Sequence, residues 1–441
     1  MFDTAQEPDK ILLKACGTRR ASRCPPCAEV YRADAYQLVR AGIAGGKGTP
    51  ASVDGHPMVF ATFTAPSFGA VHTARTHGGT IYPCHPAKLG DHCPHGRRRG
   101  CWMRHEADDP ALGQPLCADC YDVAGAVLWN ATAPALWQRT TIYLHRALAK
   151  LAGLSRRELR RQVRVSYLKV AEFQRRGLVH YHAVVRLDGR AAGDDAAVVP
   201  PPAAFTAELL AEAIREAVAV VSVPAPTIPT IPGLAAGPVR WGEQLDIRPI
   251  LPDDHDQDVT EFEGDGEKDG QEWPARRLAG YIAKYATKAT ETFGTTLDRP
   301  IRTAAELEAA TRALPPHVAA MVRACWQLGG RRELAGLGLR RWSHTLGYRG
   351  HFTTKSRAYS TTFRALRAAR RAWVARRRHG PAVELDRDGC PLPPEGQVSV
   401  TDWEYQGRGY TTAGDALLAR WMAVNVREMR RIAREELAAV A

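Results

Sequence analysis

The stretch Val163–Leu187, VRVSYLKVAEFQRRGLVHYHAVVRL, decides how the chain is read. Residues Val163 to Val170 and Leu178 to Leu187 each alternate apolar or β-branched side chains with polar ones, and Arg175-Arg176-Gly177 lies between them. That pattern predicts a β-hairpin. Alternate side chains of a strand share a face, so His180 and His182 point one way and Tyr181 the other. Closure near Arg176 sets Glu172 across from His180, on the histidine face. Two imidazoles and one carboxylate about a strand spacing apart form a divalent-metal ligand set that leaves coordination positions open. The plainer alternative is a pair of half-buried histidines in an ordinary strand; the facing Glu172 favours the metal.

A second stretch, Arg276–Glu291, reads RRLAGYIAKYATKATE. At helical spacing Tyr281, Lys284, Tyr285 and Lys288 form one stripe, and Leu278, Ile282, Ala286 and Ala289 another. The apolar stripe seats the helix and leaves the Tyr/Lys stripe to face an anion. Ammonium groups favour the phenolate, so these tyrosines are candidate nucleophiles towards a phosphodiester.

Composition narrows the class. The 441 residues suffice for two or three domains, and 45% hydrophobic content fits a globular chain. The formal net charge of +13 and pI near 9.4 suit a polyanionic partner. No apolar run approaches a membrane span, and the polar start MFDTAQEPDK lacks the basic and apolar regions of a signal peptide. The expected location is the cytoplasm, without membrane attachment, where thiols stay reduced.

Of the 10 cysteines, Cys16, Cys24, Cys27, Cys84, Cys93, Cys101, Cys117 and Cys120 fall in the first 120 residues. Such clustering of reduced thiols reads as structural Zn²⁺, two ions for eight thiolates. The preferred partition joins Cys93, Cys101, Cys117 and Cys120. Cys16, Cys24 and Cys27 then take Cys84 or a nearby His, and pairing of Cys24/Cys27 with Cys117/Cys120 is the alternative. The histidines between residues 72 and 105 read as loop residues.

His-hydrophobic-His on a strand followed by Tyr-x-x-Lys-Tyr on a helix resembles the HUH endonucleases. The closest resemblance is to the RepSA-like rolling-circle replication initiators of actinobacterial plasmids and integrative elements. Three motifs carry it in order: Phe60-Ala61-Thr62-Phe63-Thr64, His180-Tyr181-His182 and Tyr281-Ile282-Ala283-Lys284-Tyr285. The resemblance continues through Val239-Arg240-Trp241-Gly242-Glu243-Gln244 into the C-terminal third. It implies an antiparallel sheet flanked by helices and Mg²⁺ or Mn²⁺ on Glu172, His180 and His182. It further implies tyrosine attack on one DNA strand, leaving a 5′-phosphotyrosyl bond and a free 3′-OH. Tyr285 is the expected first nucleophile, Tyr281 the second, and Lys284 a neutraliser of developing charge.

The expected fold is α+β, a ferredoxin/RRM-like HUH sheet core with helices. A zinc-binding segment occupies residues 1–56. The nuclease domain spans 57–295, with a Cys-rich insertion at about 73–125 and a Pro/Ala-rich one at about 189–238 that holds a helix at Phe205 to Ala217. A mainly helical basic region, 296–441, follows. A helix is expected from Pro134 to Leu151, with Pro at its start, and an amphipathic packing helix from Asp415 to Leu437. Residues 300–379 interleave arginines with Trp342, Tyr348, Phe352, Tyr359, Phe363 and Trp373. With GHFTTKSRAYS, residues 350–360, they suit origin duplex and single-stranded DNA. The residues expected to bind are Lys288, Arg340, Arg341, Lys355 and Arg357. No G-x-x-x-x-G-K-[ST] occurs, so unwinding and synthesis fall to a host helicase and polymerase. Competing readings are a zinc hydrolase on the same His/His/Glu set, a non-enzymatic zinc-containing DNA-binding regulator, and a relaxase or transposase sharing the chemistry.

Overall fold

The computed structural model describes residues 4–6, 10–88, 90–225, 237–251, 273–287, 293, 297, 299–393 and 402–440. Lys288 lies outside them. The chain divides into two compact units: residues 56–250 with 288–356, and residues 1–55 with 251–287 and 357–441. The division differs from the expected boundary at 295/296, because residues 299–356 fold with the hairpin and 275–287 with the N-terminal segment.

The first unit is built on an antiparallel sheet. Its strands are β1 (Met58–Phe63), β4 (Val163–Phe173), β5 (Val179–Ala191), β6 (Asp194–Val199), β7 (Leu245–Leu251) and β9 (Thr353–Lys355). They run in the order β7-β1-β5-β4-β9, and β6 pairs with the far end of β5 across an irregularity at Gly189/Ala191. A small hairpin, β2 (Arg75–His77) and β3 (Thr80–Tyr82), stands apart. The period of two sends Val59, Ala61, Phe63, Ala171, Phe173, Tyr181, Ala183 and Val185 into one apolar core. Helices α2 (Val123–Leu151), α4 (Ala207–Val220) and α7 (Pro316–Leu328) contribute Leu136, Leu148, Leu210, Ile214, Val318 and Val322 to the same core.

One expectation changes here. Helix α2 starts not at Pro134 but eleven residues earlier, at Val123, behind an Asp122 cap whose carboxylate accepts the Gly125 N–H at 2.7 Å. Pro134 sits inside the helix, tolerated at the cost of one backbone hydrogen bond. The segment read as a Pro/Ala-rich insertion holds the expected helix as α4, whose Leu210, Ala213, Ile214 and Ala217 are fully buried, and also supplies strand β6. Its alanines are the close-packing side of an amphipathic helix.

The second unit gathers α1 (Pro25–Ala44), the short strand β8 (Trp273–Pro274), α5 (Ala275–Thr287), α8 (Phe363–His379) and α9 (Ala413–Val440). Helix α1 packs against α5, α8 and α9. Gly42 lets the Tyr359 ring lie directly on α1; a Cβ there would come within 2.2 Å of the ring. Asp34, buried on α1, pairs with both terminal nitrogens of Arg370, and Glu29 pairs with Arg427 at 3.3 Å. The last helix does pack on α1, but not through the apolar residues expected to seat it. Leu418, Trp421, Met422, Met429 and Ile432 are all exposed.

Candidate metal and nucleic-acid sites

Hairpin β4–β5 pairs Glu172 with His180 and Val170 with His182. The turn closes through the Gln174 N–H to the Leu178 carbonyl, 2.9 Å, with Gly177 at φ 77°. Glu172 Oε2 lies 3.2 Å from His180 Nε2 and 3.5 Å from His182 Nε2. Adjacent ligands of an octahedral ion, each about 2.1 Å from the metal, are about 3 Å apart, so these spacings fit one shared small cation. Burial pushes the Glu172 carboxyl up, but hydrogen bonds and charge from His180 and His182 outweigh it and hold it at about 2. Burial and the neighbouring His180 push His182 down to about 4 against the pull of Glu172. The donor set is therefore a carboxylate facing a neutral imidazole at neutral pH, the state in which both ligate.

Thr62 belongs to the same constellation. It faces His182 in the β1/β5 register, and its Oγ1 is 3.1 Å from His182 Nδ1. A hydroxyl on Nδ1 fixes the ring and leaves Nε2 turned to Glu172. Lys355 shares this face, since it pairs with Leu168, two positions along β4 from Val170. It is half-buried, which lowers its pKa, and donates to the Ser356 carbonyl at 3.3 Å.

Asn130, fully buried on α2, was not singled out from sequence. Its Nδ2 donates to the carbonyls of Gly177, 2.8 Å, and Leu346, 2.9 Å, while its Oδ1 accepts the Val179 N–H at 3.0 Å. It clamps the turn that sets Glu172 opposite His180. On the core face, Lys169 lies buried with its ammonium 3.9 Å from the centre of the Tyr181 ring and 3.4 Å from the Tyr348 hydroxyl.

The cysteines form groups that differ from the expected partition. His72, Cys84, Cys101 and His105 make one set; Cys93, His95, Cys117 and Cys120 make another; within each set the candidate ligand atoms lie within 4.8 Å of one another. Cys101 thus joins Cys84 rather than Cys93, and His95 takes the place it was given. Cys84 is committed to that set and is not the fourth partner of Cys16, Cys24 and Cys27, which form a separate three-thiol group in the other unit. Near that group the Tyr410 hydroxyl is 4.0 Å from Cys24 Sγ. Ligand pairs 72/84, 93/95, 101/105 and 117/120 alternate between the two four-membered sets, so each set closes a loop that carries the other. Residues 72, 95 and 105, read as loop histidines, occupy ligand positions; the short spacings Cys93-x-His95 and Cys101-x₃-His105 were the available signal.

Local chemistry fits tetrahedral ions at both sets. His105 Nδ1 is 2.6 Å from Asp109 Oδ2, the carboxylate support usual behind a ligating imidazole. The Thr73 N–H donates to Cys84 Sγ at 3.2 Å. Burial pushes the Cys93 thiol up, but backbone N–H donors of the knuckle at His95 and Arg97 and the neighbouring thiols bring it to about 6. A thiol so lowered supplies thiolate readily. The insertion is tied at its neck, where the His72 N–H donates to Gln114 O at 2.8 Å and the Gly113 N–H to His72 O at 2.9 Å. Arg175 of the hairpin turn holds it through the Ala107 carbonyl at 2.6 Å.

In the other unit, α5 buries Leu278, Ala279, Ile282 and Ala283, and leaves Tyr281 and Lys284 partly exposed. Tyr285 lies on the same helix, and its side chain is outside the described residues. Arg357 is exposed in this unit. Arg340 and Arg341, exposed in the sheet unit, stack over Trp326 and Trp342 at 5.2 and 5.4 Å. The aromatics interleaved with the arginines divide: Tyr348 and Tyr359 are core residues, whereas Trp373 is 60% exposed. No helix among the described residues is long and apolar enough to cross a membrane.

A mixed sheet-and-helix chain with a His/His/Glu face, Cys/His sets and a strongly basic balance has the make-up of a protein that initiates DNA replication. Comparison bears this out: the chain belongs to the RepSA family of replication initiator proteins, whose model, described as replication initiator protein, pSAM2, matches residues 1–424. It is 44% identical over 436 residues to a replication initiator protein of Streptomyces ambofaciens, covering 98% of this chain and 84% of that protein. No solved structure matches the chain.

Proposed function

We propose that this replication initiator is a metal-dependent, two-tyrosine HUH endonuclease and strand transferase, with the sheet of the first unit as its ferredoxin-like core. The observation that carries the proposal is the placement of Glu172, His180 and His182 around one ion-sized position on hairpin β4–β5. Mg²⁺ or Mn²⁺ held there would neutralise charge on the scissile phosphate. Glu172 supplies anionic ligation, and Thr62 presents His182 through Nε2. Lys355 adds a cation on the same face. Helix α5 provides the nucleophile: the Tyr285 oxygen bonds to phosphorus, the bond from phosphorus to the strand's 3′ oxygen breaks, and the phenolic proton leaves to solvent. The 3′ oxygen takes up a proton and is free to prime synthesis, while the phosphotyrosyl bond conserves energy for rejoining. Tyr281 serves the second transfer, and Lys284 and Lys288 offset phosphate charge. Arg340, Arg341 and Arg357 hold DNA, and a host helicase and polymerase complete replication. The Cys/His sets hold structural Zn²⁺.

Incubation with Mn²⁺ and single-stranded DNA of the replicon that encodes the chain tests this. A denaturation-resistant protein–DNA adduct, lost when Tyr281→Phe and Tyr285→Phe are combined, is the expected result. Adduct formation by that double variant at the parent level would rule the mechanism out.

A further inference from the structure

We propose that the Cys/His insertion carries a binding cleft for single-stranded DNA, separate from the hairpin site. Beside the His72/Cys84/Cys101/His105 set lies an open cleft of about 610 Å³ lined by Thr73, Arg75, Cys84, His85 and Arg99, among others. Two guanidinium groups lining one cleft favour an anion, and their planar forks match phosphate oxygens. Neither is locked in a strong ion pair. Arg75 donates to the Pro83 carbonyl at 3.3 Å, and Arg99 meets Asp91 at 3.6 Å with both side chains about half exposed. Such an exposed pair is weak and readily exchanged for a phosphate.

Exposed rings lie on the segments paired with the cleft walls. Tyr82, 43% exposed, is the cross-strand partner of Arg75 on the β2–β3 hairpin. Trp102, 63% exposed, lies on the segment that pairs with the cleft's own wall, where the Cys84 N–H donates to Met103 O at 2.9 Å and His85 bridges Cys101. Rings this exposed on a small zinc-scaffolded module contribute little to its folding. Cations in a cleft with flanking aromatic faces are what a single strand requires: phosphates for the arginines and splayed bases to stack. Duplex DNA, with its bases already stacked, uses only the first. The Arg75, Arg99, Tyr82 and Trp102 side chains are all exposed, so none is held in place by core packing.

The test uses the full-length, zinc-loaded chain and a fluorescent oligothymidine, with affinity measured by anisotropy across a salt series. If Arg75 and Arg99 each neutralise one phosphate of a single strand, Arg75→Gln with Arg99→Gln makes the slope of log affinity against log salt shallower by about 1.4. Between 50 and 200 mM salt the variant would then lose about sevenfold less affinity than the parent. Trp102→Ala lowers affinity by about tenfold at every salt concentration and leaves the slope unchanged. Zinc content equal to the parent's in both variants excludes collapse of the module. An unchanged slope in the arginine variant overturns the inference. So does an equal change in Arg97→Gln with Arg98→Gln, which removes the same charge outside the cleft lining. A parent that forms the tyrosyl adduct but shows no affinity for oligothymidine overturns the cleft and leaves the nicking reading standing.

Discussion

Replacing Asn130 by Ala removes the clamp on the hairpin turn. Three hydrogen bonds disappear: two from Nδ2 to the Gly177 and Leu346 carbonyls and one from the Val179 N–H to Oδ1. Each contributes about 1 kcal/mol net, and the buried Val179 N–H is left without its acceptor, a further cost of about 1–3 kcal/mol. The sum is about 4–6 kcal/mol, near the upper end for one substitution. For a unit of this size it corresponds to a fall in melting temperature of about 10 °C or more. Thr132→Val is the matched control. Thr132 is equally deep on the same helix, but its hydroxyl bonds only to the Leu128 carbonyl one turn back, so its loss leaves no group outside α2 stranded. Thermal unfolding of the zinc-loaded variants, followed by circular dichroism, compares the two. The Asn130 variant should also bind Mn²⁺ more weakly below its transition, because the turn fixes the register that sets Glu172 beside His180. Melting of Asn130→Ala together with Thr132→Val would refute the clamp.

Other outcomes follow from the same contacts. Thr62→Val should weaken Mn²⁺ binding by about 10–100-fold in calorimetry and Thr62→Ser should restore it, since only the hydroxyl on His182 Nδ1 differs; equal affinities would remove Thr62 from the site. His180→Ala with His182→Ala should abolish nicking while duplex binding and zinc content persist, and joint loss of nicking and binding would assign the histidines a structural role. Cys84→Ser and Cys101→Ser should each lose the same zinc equivalent, with the double variant losing no more, whereas additive loss would restore the expected partition. Burial lowers the Lys169 pKa from 10.5 to about 7, so between those values the folded chain binds fewer protons than the unfolded one and stability rises with pH. Lys169→Met should melt higher than the parent near pH 7 and lose that rise towards pH 9; an unchanged pH profile would show the ammonium to be solvated.

The hairpin was legible because its determinants are local. A period of two, a Gly turn and a carboxylate at the right parity fix Glu172 against His180 within 25 residues of sequence. Helix α5 was legible on the same ground, with Leu278 and Ile282 buried as its apolar stripe requires. Reading failed wherever the deciding partner is distant. Nothing near residue 101 tells whether its thiolate joins residue 84 or residue 93; the His85–Cys101 bridge decides it, and that is a tertiary pairing. The same applies to Asn130, an ordinary helix residue until residues 177, 179 and 346 converge on it. Proline misled at 134 because the cap that starts α2 lies twelve residues upstream, and a long helix already anchored at Asp122 tolerates one missing donor. Aromatic content misled in the C-terminal third, since Tyr359 and Trp373 look alike in sequence; one is buried against Gly42 and the other is exposed. Exposure therefore has to be read from the fold before an arginine-rich stretch is credited with stacking bases. By that criterion Trp102 on the Cys/His insertion is a better stacking candidate than Tyr348 or Tyr359, although the composition around residue 350 pointed the other way.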